Sequence, residues 1–144
     1  MIRLATKEDL PMLLRMGELF FDASGYSDIT SFDKSDTKEL LTTLIDLETL
    51  VTDGKSGMLG FVMFPIFMNK KTIMSQELFW WVDKEARGTS TGIKLLKMAE
   101  QISKASGATV MNMLSLEDLE GEKVNKMYSR LGYKRKEQSY MRIL

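Results

Sequence analysis

The chain has 144 residues, 44% hydrophobic and 28% charged, which suits one globular domain with its own core rather than a disordered tract or two domains. Twenty basic residues balance twenty acidic ones, so no net field points to nucleic acid or an anionic membrane, and no apolar run approaches the roughly 20 residues that span a bilayer. Neither cysteine nor histidine occurs, which excludes disulfides, the Ser-His-Asp triad, a Cys-His pair and the usual zinc sites, so that no metal is expected and a reducing cytoplasm is the expected home.

The N-terminal stretch MIRLATKEDL lacks the apolar core of a signal peptide and reads as a strand, Ile2 to Leu4, followed by Thr6 and Asp9 as helix caps. Leu10, Leu13, Leu14, Phe20 and Phe21 recur at helical spacing, and Pro11 falls in the first turn, where backbone N–H groups have no intrahelical partner anyway. A long polar segment, Asp22 to Asp36, separates this helix from a second. There Asp36 with Glu39 makes a cap-like pair before Leu40, Leu41, Leu44 and Ile45. Long connections of this kind are commonly functional, and Tyr26 and Phe32 are expected to close over a bound molecule.

Leu50 to Thr52 reads as a strand, and Asp53-Gly54 as a hairpin signal leading to an apolar strand, Met58 to Phe64. Pro65 marks a bulge or an end of pairing. Ser75 to Val82, SQELFWWV, is a strand whose adjacent Trp80 and Trp81 leave opposite faces. A third helix starts near Ser90, turns Leu95, Leu96, Ala99 and Ile102 inward and stops at Gly107. Ala108 to Leu114 follows as a strand and Gly121 to Leu131 as a helix closed by Gly132. Tyr133 to Glu137 and Ser139 to Ile143 are expected as a last pair of strands. The order is mixed α/β in a single domain, residues 1–144.

The stretch WVDKEARGTSTGIKLLKMAE, Trp81 to Glu100, joins a strand to a helix through small and hydroxyl-bearing residues, the setting in which a helix N-terminus holds a phosphate. It is not a Walker A loop, because Ile93 stands between Gly92 and Lys94 and Leu95 follows. Nor is it a dinucleotide fingerprint, because Gly88-x-x-x-Gly92 has the wrong spacing and follows the fourth strand.

Val82 to Gly92, VDKEARGTSTG, resembles the acyl-CoA loop V-x-P-x-x-R-G-x-G-x-G/A of the GNAT superfamily of N-acyltransferases, with Val82, Arg87, Gly88 and Gly92 in register. Lys84 replaces the usual Pro, and Ser90 stands where the loop's middle Gly is normally found. Downstream, YSRLGY, Tyr128 to Tyr133, resembles the family's Y-x-x-x-G-F/Y, while Gly121 occupies the place of an Asn often found seven residues before the Tyr. The resemblance covers essentially the whole chain. It implies an α/β fold of α+β type, a single domain with a mixed, mostly antiparallel sheet splayed between the fourth and fifth strands and flanked by about four helices.

It also implies acetyl-CoA as cosubstrate, held by Trp81, Val82, Arg87, Gly88, Thr89, Ser90, Thr91 and Gly92. The pyrophosphate would lie on backbone amides and the pantetheine arm along the free edge near Trp80 to Val82. An amine-bearing acceptor, small molecule or protein, would attack the thioester directly, with Tyr128 protonating the leaving thiolate. Glu77, a carboxylate inside an apolar strand, is the candidate base; it reads equally as a solvent-facing residue. Tyr128 without its motif would read as a packed aromatic. Ser90 and the missing Asn keep open a second reading, a catalytically inert acyl-CoA sensor or scaffold, and an unrelated nucleotide-binding domain is disfavoured by the loop spacing. The apolar strands leave room for a homodimer.

Overall fold

A computed structural model describes all residues, 1–144. Its sheet has five strands in chain order: β1 (Arg3–Leu4), β2 (Leu50–Thr52), β3 (Gly57–Ile66), β4 (Asn69–Val82) and β5 (Val110–Asn112). The first four are antiparallel neighbours, and β5 joins β4 in parallel through a crossover that carries a helix. The helices are α1 (Leu10–Ala23), α2 (Lys34–Asp46), α3 (Thr91–Ala105) and α4 (Gly121–Arg130). None is long and apolar enough to cross a membrane.

Burial divides the core by sheet face. On one side Leu13 and Met16 of α1 and Leu41 and Leu44 of α2 pack on Leu50, Met58, Phe79 and Trp81. On the other, Leu95, Leu96 and Ala99 of α3 and Tyr128 of α4 pack on Val51, Leu59 and Phe61. The alternation of inward residues along β2 and β3 is the period-two pattern of a sheet covered on both faces. Trp80 joins the α3/α4 side and Trp81 the α1/α2 side, as adjacent strand residues must.

One irregularity sets the geometry of everything that follows. Gly60 pairs with Phe79, but Phe61 pairs with Glu77, so Leu78 is an extra residue on β4. Strict alternation would put Glu77 on the same face as Phe79 and Trp81. The bulge re-phases the strand and turns Glu77 to the α3/α4 side together with Trp80. Gly60 accommodates the join, because a side chain there would run into the Phe79 ring.

The sheet also opens. Pairing of β4 with β5 covers only Met74 to Gln76 against Val110 to Asn112, and from Glu77 to Val82 the edge of β4 faces no strand. Side chains bond some of the backbone groups at the opening. Gln76 Nε2 donates to the Glu77 carbonyl (2.9 Å), the Leu114 N–H donates to Glu77 Oε2 (2.9 Å), and the Tyr128 hydroxyl donates to the Leu114 carbonyl (2.6 Å).

Three local expectations are corrected. The second helix is capped by Asp33, whose extended backbone lets Oδ1 accept from the Asp36 N–H (2.8 Å); Asp36 lies inside the first turn. The fifth strand is three residues rather than seven, because the splay removes its partner beyond Asn112. The final two strands do not form. Tyr133 packs on Tyr128 (ring centroids 5.4 Å) and donates to Glu100, but from Lys134 onward the chain is exposed and forms no ladder. Four consecutive charges, Lys134 to Glu137, begin that stretch.

Candidate active site

The splay leaves a cavity of about 390 Å³ whose walls are the open edge of β4, the loop into α3, the segment after β5 and one face of α4. Glu77, Trp80, Trp81 and Val82 line it from β4, and Arg87, Gly88, Thr89 and Gly92 from the loop. Ser90 and Thr91 belong to the same turn without lining the cavity. All eight loop and strand positions singled out in the sequence are thus gathered at one place, six of them on the cavity wall.

The loop folds as it does for local reasons. After Asp83 a short 3-10 turn, Lys84–Ala86, carries the chain outward, and Gly88 takes φ 84°, a left-handed conformation that side-chain-bearing residues adopt only at a cost. Ser90 is the N-cap of α3 with φ −78° and ψ −2°, a right-handed conformation in which serine is under no strain. The amides of Gly88, Ser90, Gly92 and Ile93 donate to no group of the chain, while the Thr91 N–H is taken by Thr89 Oγ1 (3.3 Å). A row of free N–H groups at the positive end of a fifteen-residue helix suits a pyrophosphate.

Arg87 is held in place rather than left free. Its Nε donates to the Val82 carbonyl (2.9 Å), its guanidinium lies 4.7 Å from the Trp81 ring centroid, and Nη1 is 3.9 Å from Glu120. Trp81 Nε1 in turn donates to Asp83 (2.8 Å), which Arg15 of α1 also binds (2.9 Å). Burial pushes the Asp83 carboxyl up, but the Arg15 and Trp81 hydrogen bonds outweigh it and hold the group below its ordinary range. Because the Asp83 N–H donates to the Ser56 carbonyl just before β3, the preceding N–H, that of Val82, points to the open side of the strand, where a developing oxyanion could receive it.

At the inner end Glu77 is 5% exposed, and burial raises its pKa to about 7 against the opposing hydrogen bonds from the Leu114 N–H and Tyr128. Tyr128 Oη lies 3.5 Å from Glu77 Oε2. Burial first, and the Glu77 charge second, push the phenol well above its usual value, so Tyr128 is protonated at every relevant pH. The structure therefore brings Glu77 and Tyr128 together; Glu77 lines the cavity, whereas the Tyr128 hydroxyl is turned to the Leu114 carbonyl. Trp80 Nε1, beside this pair, is buried without a partner.

Residues that the sequence reading did not single out complete the walls: Leu116, Leu119 and Glu120 from the segment after β5, and Lys123, Lys126 and Arg130 from α4. Their helical spacing of three and four was the available signal. A smaller cavity of about 110 Å³ adjoins at Leu116, between Ser24 to Ile29 and the acidic pair Glu117 and Asp118. Tyr26 lines it, while Phe32 packs away on Phe21 (5.6 Å). Nowhere do three or more His, Cys, Asp or Glu side chains converge as they would on a metal ion. The free amides, the apolar trough and the flanking cations fit an acyl-CoA.

Comparison with known proteins bears on the family and the fold. The sequence model of a family described as "Acetyltransferase (GNAT) family" matches residues 15–133. No curated protein matches the chain. Among solved structures, a transcriptional regulator from Bacillus halodurans C-125 superposes with TM-score 0.75 at 18% identity, covering 100% of this chain and 99% of its own. A predicted acetyltransferase with acetyl-CoA from Clostridium acetobutylicum gives 0.73 at 14%, covering 99% and 95%. An aminoglycoside acetyltransferase from an uncultured soil metagenomic sample gives 0.71 at 14%, covering 100% and 97%. At these identities the likeness is one of fold.

Proposed function

The chain belongs to the acetyltransferase (GNAT) family, and on that premise we propose that it moves an acetyl group from acetyl-CoA to an amine by direct attack on the thioester. The observation that carries this reading is the row of unpaired amides at the start of α3, opening on a cavity that ends at a buried carboxylate. The amides hold the pyrophosphate, the open edge of β4 receives the pantetheine arm, and the Val82 N–H faces the thioester oxygen as charge develops there.

Glu77 takes up the proton that the amine sheds as its nitrogen bonds the acetyl carbon; a carboxyl with a pKa of about 7 is matched to that task near neutrality. Tyr128 gives a proton to the sulfur as the carbon–sulfur bond breaks, once its O–H turns from the Leu114 carbonyl. Glu77, 3.5 Å away, then returns the first proton to the phenolate. The proton lost by nitrogen thus ends on sulfur, and no covalent enzyme intermediate is required. The small cavity lined by Glu117 and Asp118 supports an acceptor that carries a cationic group beside the neutral amine that attacks, met by Ser24 to Ile29. Hydrogen exchange should show protection of that segment with acceptor present, and none would remove the assignment.

Replacing Tyr128 with Phe should lower turnover by roughly 10²–10⁴-fold with CoA affinity unchanged, the range of a positioned proton donor. The loss should shrink with a more acidic leaving thiol. Full activity in the variant would return Tyr128 to a packing role, and melting temperature read alongside separates chemistry from damage. Glu77→Gln keeps an oxygen for the Leu114 N–H, so it should fold yet lose the rise in rate through pH about 7. A second reading, an inert acyl-CoA sensor or scaffold, draws on the 2.6 Å bond that occupies the Tyr128 hydroxyl. Failure to release free thiol from acetyl-CoA with any of a broad amine panel, despite tight binding, would favour it.

A further inference from the structure

The amides of the loop account for two of the phosphates in CoA, and they do so without a lysine. The cavity nevertheless carries four cations, Arg87, Lys123, Lys126 and Arg130, against two carboxylates, Glu77 and Glu120. Two of the four are engaged: Glu120 lies 3.9 Å from both Arg87 and Lys123. Lys126 and Arg130 make no ion pair.

Lys123, Lys126 and Arg130 stand three and four residues apart, on the same face of α4 as Val124 and Met127, and that face is the cavity wall. A row of like charges at this spacing weakens a helix. The helix dipole explains a cation in the last turn, Arg130, but disfavours Lys123 in the first and is indifferent to Lys126 in the middle. The acidic residue of the first turn, Glu122, does not line the cavity, so it does not cancel the row there.

We propose that this face of α4 is a phosphomonoester subsite that takes the 3′-phosphate of CoA, with Lys126 and Arg130 as its main contacts. The inference rests on the acetyl-CoA reading above and adds a specificity to it: the protein discriminates CoA from its 3′-dephospho form. A terminal phosphate is doubly charged near neutrality, and two unpaired cations at the rim of a partly enclosed cavity match it without desolvating a buried ion.

Calorimetric titration of the wild-type chain with CoA and with 3′-dephospho-CoA tests this directly. CoA should bind at least about tenfold more tightly, the usual scale for a charge-assisted contact. The double variant Lys126→Ala/Arg130→Ala should bring CoA affinity down to that of dephospho-CoA and leave the latter unchanged. Both residues are exposed, so the variant is expected to fold, and its melting temperature checks that. Equal wild-type affinity for the two nucleotides, or a preference that survives in the double variant, overturns the subsite while leaving the acetyl-CoA reading intact. Binding of neither nucleotide overturns both.

Discussion

Two turns at one end of the sheet gather backbone N–H groups, and they treat them in opposite ways. After β2, Asp53 Oδ1 accepts from the amides of Lys55 (3.0 Å), Ser56 (2.7 Å) and Gly57 (2.9 Å), and Oδ2 takes the Ser56 hydroxyl (2.7 Å). After β4, the amides of Gly88, Ser90, Gly92 and Ile93 are gathered at a helix start with no carboxylate supplied. The turns touch, since the Asp83 N–H donates to the Ser56 carbonyl at 2.7 Å. One nest is filled by its own chain and serves the fold. The other is left open, and under the proposed function an anion from outside would fill it.

The contrast predicts separable failures. The largest effect should come from Gly88→Val, because a β-branched residue at φ 84° costs about 1–3 kcal/mol and tilts the amides away; CoA affinity should fall roughly 100-fold. Retained affinity would show that the nest is not the phosphate site. Next, Asp53→Ala should destabilise the fold by about 2 kcal/mol in denaturant titration, since it strips the acceptor from three amides, with CoA affinity unaltered. Its pH dependence is diagnostic. Burial pushes the Asp53 carboxyl up, but the Ser56 hydroxyl and the three amides outweigh it and lower the pKa. The stability it supplies is therefore present above the ordinary carboxylate pKa and lost as acid titrates through the lowered one, a loss the variant should lack.

Smaller effects sharpen the picture. Glu120, at φ 51° in the left-handed region, holds an exposed carboxylate beside Arg87 and Lys123 at the cavity rim. Glu120→Gln should tighten CoA binding about two- to fivefold by removing a like charge, as befits a weak exposed pair. Weaker binding would mean that Glu120 orders the rim more than it repels. Ser90→Gly should leave affinity within about threefold, because Ser90 already has helical angles. A large gain would show strain that these angles do not.

Much of this was legible in the sequence. The helices announced themselves by periodicity and caps, and the loop by its place between a strand and an amphipathic helix. The opposite faces of Trp80 and Trp81 followed from period two alone. What was not legible depends on contacts between distant segments. Nothing at Leu78 marks a bulge, since it is neither Gly nor Pro and fits a strand as well as its neighbours. The face of Glu77, and hence its meeting with Tyr128 51 residues away, could not be counted out from spacing. The Leu114 backbone bonds, which tie that pair to the splay, involve no distinctive residue type. The tail after Tyr133 failed in the other direction: Tyr140 and Ile143 suit a strand, but a strand also needs a neighbour, and β5 ends at Asn112.

The bulge has a consequence for how this gene can change. Loss of the Leu78 codon would remove the extra residue and restore strict alternation with Ser75, Glu77, Phe79, Trp80 and Trp81 each on its present face. A codon lost from the regular run on either side has the opposite result, because everything beyond it turns over. Ser75 would then face the aliphatic layer of Leu13 and Met16, or Trp80 and Trp81 would trade sides. In a library selected for folded protein, in-frame deletions in β4 should therefore collect at Leu78 and be absent from Gln76 and Trp80.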